Sequence, residues 1–271
     1  MITLRNTTQG CEVPIKITNF PAGETLVNIP EMSNYIRNRD VLEIHCLWQG
    51  AEDTANIMQL RDILNRYEVD LNLPYVPYSR QDRRCNAGDS HSLAVFAGLI
   101  NSLNFRVIRI TDPHSDVVEA LFPTAYILRQ YDVCMATLIL DGVPMGRYSA
   151  VVAPDLGASK KAQKVATAMK LPMIQCTKKR DPATGQLSSP QVDTSNMEMP
   201  VGSHFLIVDD ICDGGFTFIQ LAQAMKSIDP DVKLDLFVTH GFFTKGKQCL
   251  YDAGYENVFC YNDFSKIGET K

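Results

Sequence analysis

Two short stretches carry most of the chemistry that this 271-residue sequence offers. The first is Val208-Asp209-Asp210-Ile211-Cys212-Asp213-Gly214-Gly215-Phe216-Thr217, where two carboxylates end an apolar run and a glycine-containing loop follows. Backbone N–H groups in such a loop, with the positive end of a following helix, make an anion site. The adjacent carboxylates can accept hydrogen bonds from neighbouring sugar hydroxyls. Phosphate at the loop and a diol at Asp209 and Asp210 describe a ribose phosphate. A helix cap explains most Asp-Gly clusters, but not a doubled Asp at the end of an apolar strand. The second stretch is Arg80-Gln81-Asp82-Arg83-Arg84. Its arginines present fork-shaped donors that suit a polyphosphate, and Gln81 can read a base edge.

The elements around these stretches alternate. Residues 41–47 read as a strand, 52–67 as a helix with Ile57, Leu60, Ile63 and Leu64 at helical spacing, and 69–76 as a strand. Residues 90–103 read as a helix capped by Ser90, and 105–110 as a strand. The order recurs with strand 149–153, helix 159–169, strand 173–176, strand 204–208, helix 218–228, strand 234–239 and helix 245–253. Ile219, Leu221, Ala222, Met225 and Ile228 of helix 218–228 are expected to face inward. Between the halves of the second set, residues 177–202 read as a long loop or lid. Such alternation implies parallel sheets covered by helices, in two α/β halves: residues 1–142 and 143–271. Ligands in these sheets bind beyond the carboxyl ends of strands, and both chemical stretches follow strands.

Several classes are excluded or disfavoured. The net charge is −5, which argues against a general nucleic-acid binder. No apolar run approaches a membrane span, and the N-terminal residues lack the pattern of a secretion signal, so a cytoplasmic address is expected. The eight cysteines are scattered without CxxC spacing, so neither zinc nor a disulfide framework is expected, and most should be small buried groups. Gly241-Phe242-Phe243-Thr244-Lys245-Gly246-Lys247-Gln248 fits GxxxxGK, but a phosphate-binding P-loop needs Ser or Thr where Gln248 stands.

The Asp209–Thr217 stretch resembles the ribose-phosphate loop of type I phosphoribosyltransferases and of ribose-phosphate pyrophosphokinases. Leu-Pro-Tyr-Val-Pro-Tyr-Ser-Arg-Gln-Asp-Arg-Arg, residues 73–84, is similar to the ATP-binding loop of the pyrophosphokinases, and the transferases lack it. The likeness runs from about Phe20 to about Asp263. It implies two type I phosphoribosyltransferase-type domains, each a mostly parallel sheet flanked by helices. It also implies a magnesium-dependent transfer of the diphosphate of ATP to the anomeric hydroxyl of ribose 5-phosphate.

The same likeness assigns roles. Arg80, Gln81, Asp82 and Arg84 belong to the ATP site, as do Phe20 and Glu24, whose segment reaches a neighbouring subunit in the family. Asp209, Asp210, Asp213, Gly214, Gly215, Phe216 and Thr217 hold the ribose phosphate. Thr111-Asp112-Pro113-His114 resembles the family's Asp-x-His, which makes His114 a magnesium residue. Ala153-Pro154-Asp155-Leu156-Gly157-Ala158 resembles the pyrophosphate loop, with Asp155 beside a second metal ion and Gly157 and Ala158 meeting phosphate. Lys178 and Arg180 match a Lys-x-Arg pair on a mobile loop and are the catalytic cations. Thr239-His240-Gly241 resembles a C-terminal-domain strand end. A homodimer or higher homo-oligomer is implied, with no membrane or nucleic-acid partner.

Four features depart from the pattern. Ala22 stands where the family has Asp, and the segment after His114 has its own composition. The loop Asp213-Gly214-Gly215-Phe216-Thr217 has lost one hydroxyl and gained a ring. A phosphate with a further substituent needs a less closed cradle, and an aromatic ring can pack on that substituent, so ADP-ribose is the alternative acceptor. The sequence stops at Lys271, short of a C-terminal helical segment of many members, so their regulation need not carry over. A phosphoribosyltransferase leaves Arg80–Arg84 unexplained. A non-catalytic regulatory relative should have lost residues that are present here.

Overall fold

The computed structural model describes residues 1–144, 146–177, 191–192 and 201–265. The chain forms two compact units, Met1–Leu128 and Arg129–Lys271.

In the first unit the order is β1 (Ile2–Asn6), β2 (Cys11–Val13), β3 (Lys16–Asn19), β4 (Thr25–Asn28), α1 (Met32–Tyr35), β5 (Val41–Cys46), α2 (Ala51–Ile63), β6 (Glu68–Asn72), α3 (Ser92–Ser102), β7 (Ile108–Thr111), α4 (Asp116–Leu121) and β8 (Ala125–Leu128). Six strands form one sheet in the order β2-β1-β5-β6-β7-β8. Strands β5 to β8 are parallel, while β1 runs antiparallel to both of its neighbours. Helix α3 buries Leu93, Phe96, Ala97 and Ile100, the i, i+3, i+4, i+7 stripe that a helix covering a sheet requires. Helix α2 and the turn after it bury Ile57, Leu60 and Leu64. Strands β3 and β4 make a hairpin held on α2 by Gln59, which accepts from Val27 N–H at 2.9 Å and donates to the Thr25 carbonyl at 2.9 Å.

In the second unit the order is α5 (Gln130–Leu140), β9 (Ala150–Ala153), α6 (Ser159–Met169), β10 (Met173–Thr177), β11 (Gln191–Val192), β12 (His204–Cys212), α7 (Phe216–Ile228), β13 (Lys233–Gly241), α8 (Gln248–Asp252) and β14 (Tyr255–Asp263). The sheet order is β11-β10-β9-β12-β13-β14. All pairings are parallel except the edge pair of β10 and β11. Every residue of β9 is buried, as are His204–Val208 of β12; unbroken apolar runs are what a sheet covered on both faces needs. The chain leaves β9 toward β10 on one side and returns to β12 on the other. The strand order therefore reverses between β9 and β12, which is where such sheets open a crevice at the strand ends.

Differences from the sequence expectations have local causes. The units divide at residue 128 rather than 142, because α5 packs on α6 and the β13–β14 side of the second sheet. Helix α3 starts after His91, not Ser90, because Asp89 closes a separate turn by accepting from Asn86 N–H at 2.7 Å. Ile228, expected inward, ends α7 and is exposed. Cys46, Cys134, Cys176 and Cys212 are buried, but Cys85 is exposed. Burial pushes the Cys46 and Cys212 thiols up to about 12, away from nucleophilic behaviour. Among the described residues no helix is long and apolar enough to cross a membrane.

Candidate active site

The first unit presents a cationic loop between β6 and α3. Ser79 N–H donates to Val76 O, and Gln81 N–H donates to Tyr78 O at 2.8 Å, so the segment turns sharply before its arginines. Tyr78 sits at φ 62°, a left-handed conformation that costs a bulky residue about 1–2 kcal/mol. Contacts with Trp48 and Phe96, at ring-centroid distances of 5.9 and 5.8 Å, hold it there. A cavity of about 440 Å³ opens beside the loop, lined by Arg80, Gln81, Asp82, Arg83 and His114 with small polar neighbours. The structure thus brings His114, which follows β7, to the arginine loop. Arg83, not assigned from the sequence, lines this cavity, whereas Arg84 does not. The Ser79 hydroxyl and His91 Nε2 on the same loop are buried and without a hydrogen-bond partner among the described residues.

Phe20 and Glu24 lie elsewhere. They flank the β3–β4 turn, closed by Phe20 N–H to Glu24 O at 2.8 Å. They line a separate cavity of about 540 Å³ with Thr25, Glu52 and Gln59. Within one chain the structure does not bring them to the arginine cavity.

The second unit gathers carboxylates at its topological reversal. Asp155 follows β9, and Asp209 and Asp210 end the apolar part of β12. Asp209 accepts from Asp210 N–H at 2.8 Å. Its carboxyl is pushed well above the usual carboxylate range, first by burial and then by the charges of Asp210 and Asp155. Lys161, in the first turn of α6, pairs with Asp210 at 3.2 Å. Asp155 accepts from Ala158 N–H at 3.2 Å, and a Cβ on Gly157 would lie 3.2 Å from the Asp155 carboxylate. A side chain at 157 would therefore require the Asp155 carboxylate to give way by a few tenths of an ångström.

Beyond β12, Gly215 at φ 77° turns the chain into α7. A side chain there would be strained and would press on Leu250 at 3.1 Å. The first turn of the 13-residue α7 carries the backbone N–H groups and positive dipole end of an anion site. Phe216 at the helix start is 59% exposed. Asp213 accepts from the Thr244 hydroxyl at 2.8 Å, which ties this loop to the one after β13. Lys178 and Arg180 lie outside the described residues. Sequence reading missed Lys161, whose signal was its place two residues into the helix after the Asp155 loop. Thr244 was also missed, and nothing near it in sequence marks it.

At the opposite ends of the strands, His204, Asp235 and Glu256 offer ligand atoms within 4.8 Å of one another, a set that could hold a metal ion. The Arg147 guanidinium pairs with Asp235 and Glu256 at 3.1 and 3.2 Å, and the Tyr148 hydroxyl donates to Asp235 at 2.9 Å. With Lys233 3.9 Å from Glu256, two cations of the chain already face the two carboxylates of this cluster. The Asp155, Asp209 and Asp210 carboxylates offer only oxygen atoms, the donor type that hard divalent cations take, and one cation of the chain, Lys161, pairs with Asp210.

Known proteins resemble the chain in sequence and in fold. Residues 144–260 match the phosphoribosyl transferase domain family. The ribose-phosphate pyrophosphokinase of Mycoplasma pneumoniae is 29% identical over 230 residues, 83% of this chain and 66% of that protein, so the chain spans about two thirds of that relative. The ribose-phosphate pyrophosphokinase of Sulfurisphaera tokodaii is 24% identical over 249 residues, 90% of this chain and 82% of that protein. The crystal structure of phosphoribosylpyrophosphate synthetase from Mycobacterium smegmatis is similar in fold, with a TM-score of 0.76, 20% identity, and coverage of 92% of this chain and 80% of that one.

Proposed function

We propose that the chain, similar over most of its length to ribose-phosphate pyrophosphokinases, is one of them and transfers the β,γ-diphosphate of ATP to the anomeric 1-hydroxyl of ribose 5-phosphate, releasing AMP. The observation that carries this reading is the pairing, in one chain, of an arginine-lined cavity with a carboxylate-lined strand end before a helix N-terminus. A phosphoribosyltransferase has no use for the first of these.

The chain's own groups divide the work. Arg80 and Gln81, with Asp82 and Arg84, take ATP, the guanidinium groups meeting phosphoryl oxygens. Asp209 and Asp210 accept from the ribose hydroxyls and so fix the anomeric oxygen. Residues 213–217 and the start of α7 take the 5-phosphate. The Asp155–Ala158 loop offers backbone N–H groups to the transferring diphosphate. Lys178 and Arg180 stabilise its growing charge. His114 and Asp155 are the residues we assign to magnesium, which when bound neutralises phosphoryl oxygens and orients them. A homodimer or larger assembly goes with this reading, since Phe20 and Glu24 stand apart from the arginine cavity of their own chain.

A second reading keeps the chemistry and changes the acceptor to ADP-ribose. It is favoured by the exposed Phe216 ring and the bare Gly214 in the cradle. Phosphorus NMR of the purified chain with ATP and magnesium tests both, with ribose 5-phosphate in one tube and ADP-ribose in another. AMP and an anomeric diphosphate from ribose 5-phosphate support the first reading; the same products only from ADP-ribose move it to the second. Silence in both tubes overturns the catalytic reading and favours a regulatory relative.

A further inference from the structure

The GxxxxGK-like segment after β13 is no P-loop, yet it lies against the sugar-phosphate loop. Thr244 N–H donates to Asp213 O at 3.2 Å, and the Thr244 hydroxyl donates to the Asp213 carboxylate. Phe242 N–H reaches Cys212 O at 2.8 Å, so the two loops run side by side from the ends of the paired strands β12 and β13. The neighbour of Thr244 is Lys245. Its side-chain carbons Cδ and Cε lie 3.7 Å from where a Cβ of Gly214 would stand. Lys247, by contrast, is already engaged, pairing with Asp263 at 2.8 Å and lying over the Phe243 ring. Lys245 is exposed and has no ion pair among the described residues. A strongly hydrated ammonium on a flexible stem suits a terminal anion that arrives with its ligand.

We infer that the loop after β13 is the second wall of the acceptor cradle, and that Lys245 is the cation that meets the 5-phosphoryl group of the acceptor. The inference rests on reading residues 209–217 as the acceptor site. Gly214 and Lys245 are then complementary. The bare backbone at 214 leaves room for the lysine stem, and the ammonium supplies the contact that a hydroxyl at 214 would have made. Thr244 is a positioning residue, which holds the Asp213 carboxylate and fixes the distance between the walls. An ammonium binds a monoester phosphate and a phosphoanhydride alike, so this residue accommodates either acceptor; Phe216 is left to tell them apart.

The test measures steady-state kinetics and calorimetric binding of ribose 5-phosphate and of ADP-ribose for the full chain and for Lys245→Met, Lys245→Arg and, as a control on the exposed face of α6, Lys164→Met. Loss of one charge-assisted hydrogen bond should raise the acceptor KM and Kd roughly 10–100-fold in Lys245→Met. The KM for ATP and the kcat at saturating acceptor should stay within about twofold, the pattern of a group that binds ground state and transition state equally. Lys245→Arg should recover most of the affinity, and Lys164→Met should match the parent. Unchanged acceptor KM and Kd in Lys245→Met overturn the inference, and so does an equal loss for both substrates. If the parent binds a ribose phosphate without turnover, the catalytic reading fails while the Kd of Lys245→Met still decides the role of the lysine. If it binds neither acceptor, both fall.

Discussion

The first sheet carries its arginines on a long exposed loop after β6, whereas the second keeps its carboxylates at the ends of β9 and β12, packed against one another. The topology accounts for the contrast. Strands β5 to β8 follow one another in order, so no reversal opens a crevice among them, and polar groups must be delivered by a loop. The second sheet reverses between β9 and β12, and short strand ends suffice. A loop can follow a long polyphosphate; two strand ends hold a small ring rigidly. The difference teaches that one sheet type serves opposite charges according to where its order turns.

The comparison breaks most directly at the carboxylates. Asp209→Asn combined with Asp210→Asn should lower kcat/KM for the acceptor roughly 10²–10³-fold, because the anomeric oxygen loses its orientation. The single Asp209→Asn change should also raise the thermal midpoint at neutral pH. The folded-state value of Asp209 lies above the ordinary 3.8. Folded protein therefore binds more protons in that window, and stability falls as pH rises from about 3.8 through the raised value. A midpoint that falls instead would mean that the carboxylate is held by favourable contacts, as in the first unit.

Arg80→Met should raise the KM for ATP roughly 10–100-fold, the loss of a charge-assisted contact, and leave calorimetric binding of ribose 5-phosphate unchanged. A parallel loss for both substrates would dissolve the division of labour between the units. Gly215→Ala should destabilise the second unit by about 1–2 kcal/mol through its left-handed backbone, read as faster hydrogen exchange in α7 with β5 to β7 unaffected. The smallest effect belongs to Asp40. The backbone N–H of Arg37 and the Asn6 side chain hold its carboxyl below the usual 3.8, against the cost of burial. Its stabilising effect is present above that value and lost as pH falls through the lower folded value. Asp40→Asn should flatten the acid limb of an unfolding curve.

Much of this layout is legible in the sequence because unbroken apolar strands and amphipathic helices announce themselves. Helix 159–169 buries Ala162, Val165, Ala166 and Met169 at the spacing a helix requires. Strands β1 to β4 were missed because they are short, with few buried apolar residues in β2 to β4, and β1 also takes its place in the sheet from β5, about 40 residues along the chain. Strand β14 is a half-exposed edge with mixed polarity, and only its pairing with β13 makes it a strand. Helix α5 is apolar nearly all round, so its face, and with it the division of the units, cannot be read from periodicity. In the site, the doubled Asp209-Asp210 is visible because a charge pair ends an apolar run. Thr244 is not, since its partner Asp213 is brought to it by the sheet, and Lys161 is marked only by its place after the Asp155 loop, not by its partner Asp210.

The pairing of β9 with β12 sets Ala150 beside Phe205, and it has a consequence for the nascent chain. When β9 leaves the ribosome, one edge of the buried strand lacks its neighbour until β12 has been made, roughly 3–11 s later at ordinary synthesis rates. Local contacts can form the α6–β10 side during that interval, but the central seam must wait for a distant segment. The strand order that opens the crevice therefore also schedules folding, and the second unit's seam is the place where a chaperone would have most to shield.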